Sequence, residues 1–159
     1  MTAAFDLAIR NATIIDGTGA ARFRASIGIR GDRIVRLGAF TDEEKATREI
    51  DARNLVAAPG FIDAHTHDDR MLLSDPTVAP KVSQGVTTVI TGNCGISLAC
   101  SPAGSASIPP LDLLDSEGGW FRFPDFRSYG AALSDQPAGA NAAGRAVPRP
   151  SLRGRRSRS

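Results

Sequence analysis

The 159-residue chain is poor in the residues that build cross-linked or membrane-spanning proteins: two cysteines, two histidines, one tryptophan, one tyrosine, and no run of 18 apolar residues. Two cysteines, Cys94 and Cys100, are too few for a disulfide framework, so the thiols are left for metal or for packing. Without a long apolar run no membrane span is expected. The start, MTAAFDLAIR, carries Asp6 and has neither a basic opening nor a long apolar stretch, so no signal peptide is expected and the reading is cytoplasmic. No internal repeat is evident. Acidic residues are missing from one region, 142–159, which holds six arginines and no Asp or Glu.

That last absence explains the charge. The net charge is +2, yet residues 1–141 carry 13 basic against 17 acidic groups, a net of −4. The basic pI of about 8.8 is thus a property of the tail. A nucleic-acid-binding body is not expected, and neither is a membrane partner. With 42% hydrophobic and 23% charged residues, the composition is that of one globular domain or part of a larger one.

Residues 1–58 read as a small antiparallel β module of five or six strands. Short alternating segments, DLAIR, ATIID, ASIGIR and RIVRLG, are separated by a turn at Asn11, by GTG, and by Gly31-Asp32, a two-residue hairpin signal. The style changes at Pro59-Gly60. FIDAHTH predicts a short strand over 61–67. SDPTVAPKVSQG predicts a crossover helix with Ser74-Asp75-Pro76 at its start, and VTTVITGNCG a buried strand. Strand, helix, strand is the unit of a parallel sheet, compatible with a doubly wound fold or a (β/α)8 barrel. A Pro/Gly/Ser-rich stretch from Cys100 to Trp120 reads as a long loop over the end of that strand. A helix is predicted from Asp125, with Phe126, Tyr129 and Leu133 at helical spacing.

The chemistry sits at the strand ends. On a strand, residues i and i+2 share a face, so His65 and His67 project together and suit one divalent metal, or are two polar residues ending a strand. Cys94 closes the next predicted strand at the equivalent position, and consecutive parallel strands are usually neighbours. It is either a third ligand of the right softness for zinc or a small buried hydrophobe. Cys100 reads as a loop residue.

The runs VAAPGFIDAHTHDD, PKVSQGVTTVITGNCGIS and PLDLLDSEGGWFRFPDFRSY resemble the D-aminoacylases, or N-acyl-D-amino-acid deacylases, of the amidohydrolase superfamily, over roughly residues 5–142. The resemblance implies a small β-sandwich carrying a zinc-dependent (β/α)8 TIM barrel that hydrolyses the amide of an N-acyl-D-amino acid. By position it makes His65 and His67 the H-x-H metal ligands and Cys94 the zinc-ligating cysteine of this branch. It also places the catalytic aspartate on a late barrel strand. Asp63, Asp68 and Asp69 lie in the wrong element for that role; Asp63 reads as a partner for an imidazole or a turn acid, and Asp68 and Asp69 as a solvated turn.

Such a barrel needs about 250 residues, and only 94 follow His65. The expected organisation is therefore 1–58 as the β-sandwich part, 59–141 as the start of a truncated barrel, and 142–159 as a disordered basic tail. An abrupt Arg/Pro/Gly/Ser run without acids is what an out-of-frame reading of a GC-rich gene yields; a nucleic-acid-binding tail is the competing reading. Three functional readings stay open: an incomplete, inactive metallo-deacylase, a non-catalytic zinc- or partner-binding module, and another amidohydrolase such as a cyclic-amide hydrolase.

Overall fold

A computed structural model describes residues 3–99 and 109–144. The chain divides between Pro59 and Gly60 into two compact units.

The first unit is a five-stranded sheet: β1 (Phe5–Ile14), β2 (Phe23–Arg30), β3 (Arg33–Gly38), β4 (Ala46–Asp51) and β5 (Val56–Ala57). The order is β3-β2-β1-β4, with β5 also beside β1. Gly31 and Asp32 join β2 to β3 as expected. Gly31 takes a left-handed φ of 57°, and its N–H donates to Asp6 Oδ2 at 2.6 Å. Two expectations change. Asn11 does not end a strand: β1 runs through it as a bulge with a register shift between Ile9 and Ala12. Asparagine tolerates the left-handed φ of 62°, and its N–H donates to Ser26 Oγ, so the strand kinks instead of turning. The sheet is also mixed, not antiparallel, because residues 39–45 carry the chain back so that β4 and β5 pair with β1 in parallel. Ala12, Ile14, Ala25 and Ala52 pack with Ile9, Ile27 and Ala57 on one side. On the other side Gly28 leaves room for the Phe5 ring, which a Cβ would approach to 2.5 Å.

The second unit has a parallel three-stranded sheet in the order β6-β7-β8: β6 (Phe61–Asp63), β7 (Val86–Thr91) and β8 (Asn141–Gly144). Between β6 and β7 an unexpected short helix, α1 (Met71–Ser74), comes first, and the predicted crossover helix shortens to α2 (Ala79–Val82). The reason is local. Asp75 Oδ1 accepts the N–H and hydroxyl of Thr77, Val78 takes a φ of 47°, and Pro80 has no N–H to extend a helix. Leu72, Val78 and Val89 form a small core under β7.

A larger core gathers Leu73, Ile96, Leu98, Ala99, Leu114, Phe121, Phe123 and Tyr129. The expected Pro/Gly/Ser loop is therefore packed where it is described, Leu114 and Asp115 being almost wholly buried; Cys100 and the residues up to 108 lie outside the described residues. The helix expected from Asp125 is α3 (Phe126–Asp135). Asp125 caps it by accepting Ser128 N–H at 2.7 Å, and Ser128 reaches back to the Asp125 N–H. The structured chain reaches Gly144, three residues past the expected boundary at 141, because Ala142–Gly144 complete the pairing of β8 with β7. The remainder of the expected tail, 145–159, lies outside the described residues.

Candidate metal centre

β6 ends at Asp63, earlier than expected, so His65 and His67 lie on the turn that follows it and not on the strand. Asp63 causes the exit: its Oδ1 accepts the His65 N–H at 3.3 Å, taking that group out of the ladder. Thr66 N–H still donates to Ile90 O, which keeps the turn against β7. The two imidazoles meet edge to face, with centroids 5.7 Å apart.

β7 ends at Thr91, and the chain reverses through a 3-10 turn at Asn93–Gly95. Gly92, Cys94 and Gly95 all take left-handed φ values, 74°, 57° and 71°. For the glycines this costs little; for cysteine it is an uncommon, strained conformation of the kind found at functional sites. Buried Asn93 fixes the turn, its Nδ2 donating to Ile90 O at 2.7 Å and to Thr66 O at 3.4 Å. Cys94 Sγ is thereby brought to 3.3 Å from His65 Nε2. One donor atom from each of His65, His67 and Cys94 lies within 4.8 Å of the others.

These residues fit a zinc ion. Tetrahedral zinc with Zn–N near 2.0 Å and Zn–S near 2.3 Å separates its donors by roughly 3.5 Å, close to the Sγ to Nε2 distance. His67 Nδ1 is buried with no hydrogen-bond partner. A buried nitrogen without a partner is costly unless something binds it.

Around the donors the acids behave differently from the sequence reading. Asp63 contacts no imidazole; besides the His65 N–H it holds Lys81, whose Nζ is 2.6 Å from Oδ2. The Lys81 hydrogen bond, with help from the His65 N–H, keeps the Asp63 carboxyl below the usual range, and Asp63 in turn raises Lys81. Asp68 is not solvated either, since its Oδ2 lies 3.0 Å from the same ammonium. Asp69 is fully buried. Its Oδ1 accepts Ser97 Oγ at 2.7 Å and Leu98 N–H at 3.3 Å, and its carbonyl accepts the Tyr129 hydroxyl at 2.9 Å. Burial pushes the Asp69 carboxyl up, against the hydrogen bonds from Ser97 and Leu98. Asp69 thus ties the histidine segment to the segment following Cys94. A pair of adjacent acids after a strand ordinarily signals solvent, and here Lys81 from α2 and the Ser97–Leu98 segment reverse that. Lys81, Asn93, Ser97 and Tyr129 were all missed; of these, Asn93 alone had a local signal, lying between Gly92 and Cys94.

A β-rich module followed by sequential parallel strands, with the donor cluster just past the strand ends, defines the class: the opening of a TIM barrel preceded by an N-terminal β module. The amidohydrolase family model matches residues 48–148, and the chain belongs to that family. The match passes Asn141-Ala142, where the sequence reading places the end of the likeness. A D-aminoacylase of Alcaligenes xylosoxydans xylosoxydans is 54% identical over 140 residues, 87% of this chain and 28% of that protein. A solved D-aminoacylase studied for its binuclear metal centre aligns with a TM-score of 0.82 at 51% identity, over 88% of this chain and 29% of that one. An N-acyl-D-glutamate deacylase from Bordetella bronchiseptica, complexed with zinc and a phosphonate inhibitor, aligns with a TM-score of 0.79 at 41% identity, over 88% and 29%. The chain spans less than a third of the length of these relatives.

Proposed function

We propose that this chain is the metal-binding opening of a zinc-dependent deacylase of N-acyl-D-amino acids, with His65, His67 and Cys94 as ligands. The carrying observation is the convergence of those three donors within 4.8 Å, in a chain 54% identical to a D-aminoacylase. Zinc held there supplies Lewis acidity toward an amide carbonyl and lowers the pKa of water for attack. The chain's own part is to present the donors. Asp63 fixes the His65 backbone, Asn93 fixes the Cys94 turn, and Asp69 holds the two segments together.

Proton delivery to the leaving amine needs a carboxylate in reach of it. Asp63 and Asp68 are engaged with Lys81, and Asp69 is buried against Ser97. The 159-residue polypeptide is therefore a binder of metal and not a catalyst, as groups that act as a unit lose nearly all activity when one is missing.

Two assays test this. Cobalt(II) titration of the polypeptide should give thiolate charge-transfer absorption, with no hydrolysis of N-acetyl-D-amino acids by the zinc-loaded form. A chimera carrying residues 1–144 in place of the matching segment of the Alcaligenes D-aminoacylase should release D-amino acid and lose that activity to chelators. A chimera active only on N-acyl-L-amino acids, or indifferent to chelators, would sink the reading.

A further inference from the structure

We propose that Lys81 is a positioning residue for the metal centre: its single ammonium holds the whole turn that carries both histidines. This rests on the metal-binding reading above. Lys81 belongs to α2, outside that turn, and its side chain is largely covered. Its Nζ lies 2.6 Å from Asp63 Oδ2, 3.0 Å from Asp68 Oδ2 and 3.4 Å from Thr66 Oγ1. The ammonium donates hydrogen bonds to Asp63 and Thr66 and forms an ion pair with Asp68.

The placement of those acceptors gives the contact its meaning. Asp63 precedes His65 by two residues, Thr66 separates the histidines, and Asp68 follows His67 directly. Lys81 therefore touches the turn before, between and after its two imidazoles. Asp63 extends the tie, since its other oxygen accepts the His65 N–H. An isolated surface ion pair contributes little. This one differs because two carboxylates, 28% and 15% exposed, share one cation whose side chain is 22% exposed. Remove the cation and two like charges face each other beside the donors, with no other basic side chain paired to either among the described residues. The turn then opens, or a carboxylate swings toward any bound cation, and the histidines lose their alignment with Cys94.

The test uses the full 159-residue chain and cobalt(II) alone, read as affinity and as the thiolate charge-transfer band, with Trp120 emission reporting the fold. Lys81→Met is expected to weaken cobalt binding about tenfold or more and to shift or weaken the band, emission remaining native. Affinity within twofold of the parent and an unchanged band would overturn the proposal. Should Lys81→Met lose native emission, Asp63→Asn decides, because it keeps an acceptor for His65 N–H while removing the charge that holds Lys81. Weaker cobalt binding with a perturbed band supports the positioning role, and parental behaviour overturns it. A parent chain with no cobalt–thiolate absorption would instead refute the metal-binding reading itself, so the two failures are distinct.

Discussion

At the scale of single residues, the centre depends on side chains that the chain forces into unfavourable states. Cys94 accepts a left-handed backbone, and His67 leaves a buried nitrogen without a partner. A cation in the cluster would give the His67 nitrogen a partner, and its binding would offset the cost of the Cys94 backbone. Because a thiolate brings charge and softness that neutral imidazole lacks, Cys94→Ala should reduce zinc affinity more than His65→Ala or His67→Ala. Calorimetric titration of the three variants checks the order. Equal losses, or an unchanged cobalt–thiolate band in Cys94→Ala, would show that the cysteine stands outside the ligand set. A second single-residue expectation concerns Tyr129. Its buried hydroxyl donates to the Asp69 carbonyl, and burial raises its pKa far above the ordinary phenol value, so it acts only as a neutral donor. Tyr129→Phe should cost about 1 kcal/mol by leaving that carbonyl unpaired, measurable as a lower urea midpoint.

At the scale of elements, the turn over residues 115–120 of the second unit is ordered by one acid. Asp115, 3% exposed, accepts Trp120 N–H at 2.8 Å and Glu117 N–H at 3.2 Å, with Arg70 3.6 Å away. The Trp120 N–H foremost, then Glu117 and Arg70, hold its carboxyl below the ordinary value of 3.8. A depressed folded-state pKa contributes stability that is complete above the ordinary value and is lost as pH falls through the lower one. Asp115→Asn should therefore unfold at lower urea than the parent at neutral pH, and the gap should close below roughly pH 4. Trp120 emission, from the sole tryptophan, follows both proteins; a gap independent of pH would disconnect the acid from the fold.

How far the elements were legible in sequence follows from what stabilises each. The Gly31-Asp32 hairpin, β7 and α3 were readable because alternation, β-branching and an Asp cap act within a few residues. The 74–85 helix was cut down to α2 because side-chain hydrogen bonds at Asp75 outcompeted the helical pattern over its first residues. The parallel pairing of β4 with β1 depends on where residues 39–45 cross, which no local pattern records. In the candidate centre the donor types and their neighbourhood were visible as H-x-H and GNCG, whereas Lys81 and Asp69 join it through contacts such as Lys81 to Thr66 and Ser97 to Asp69, 15 and 28 residues apart along the sequence.

At the scale of the whole molecule, β6 and β8 are the outer strands of the three-stranded sheet among the described residues, and large apolar side chains stand exposed on β6. Phe61 and Ile62, each 65% exposed, are consecutive on edge strand β6 and so point to opposite faces. In the first unit Ile34 is 67% exposed on edge strand β3. Among the described residues no helix is long and apolar enough to cross a membrane, so these surfaces do not belong to a spanning helix. In a preparation of the 159-residue polypeptide, these side chains can meet their counterparts on other copies. Open edges with exposed apolar side chains pair with one another, and parallel sheets that are only partly assembled are prone to aggregate. The polypeptide is therefore expected to self-associate with increasing concentration, seen as rising light scattering and early elution in size exclusion. Ile34→Lys and Phe61→Ser, one on an edge strand of each unit, should each raise the concentration at which this begins, and the pair should do so more than either alone. Ile34 lies in the other unit from the donors, so Ile34→Lys should leave cobalt affinity unchanged. A monodisperse parent chain at high concentration, insensitive to both changes, would mean that the edges are already covered.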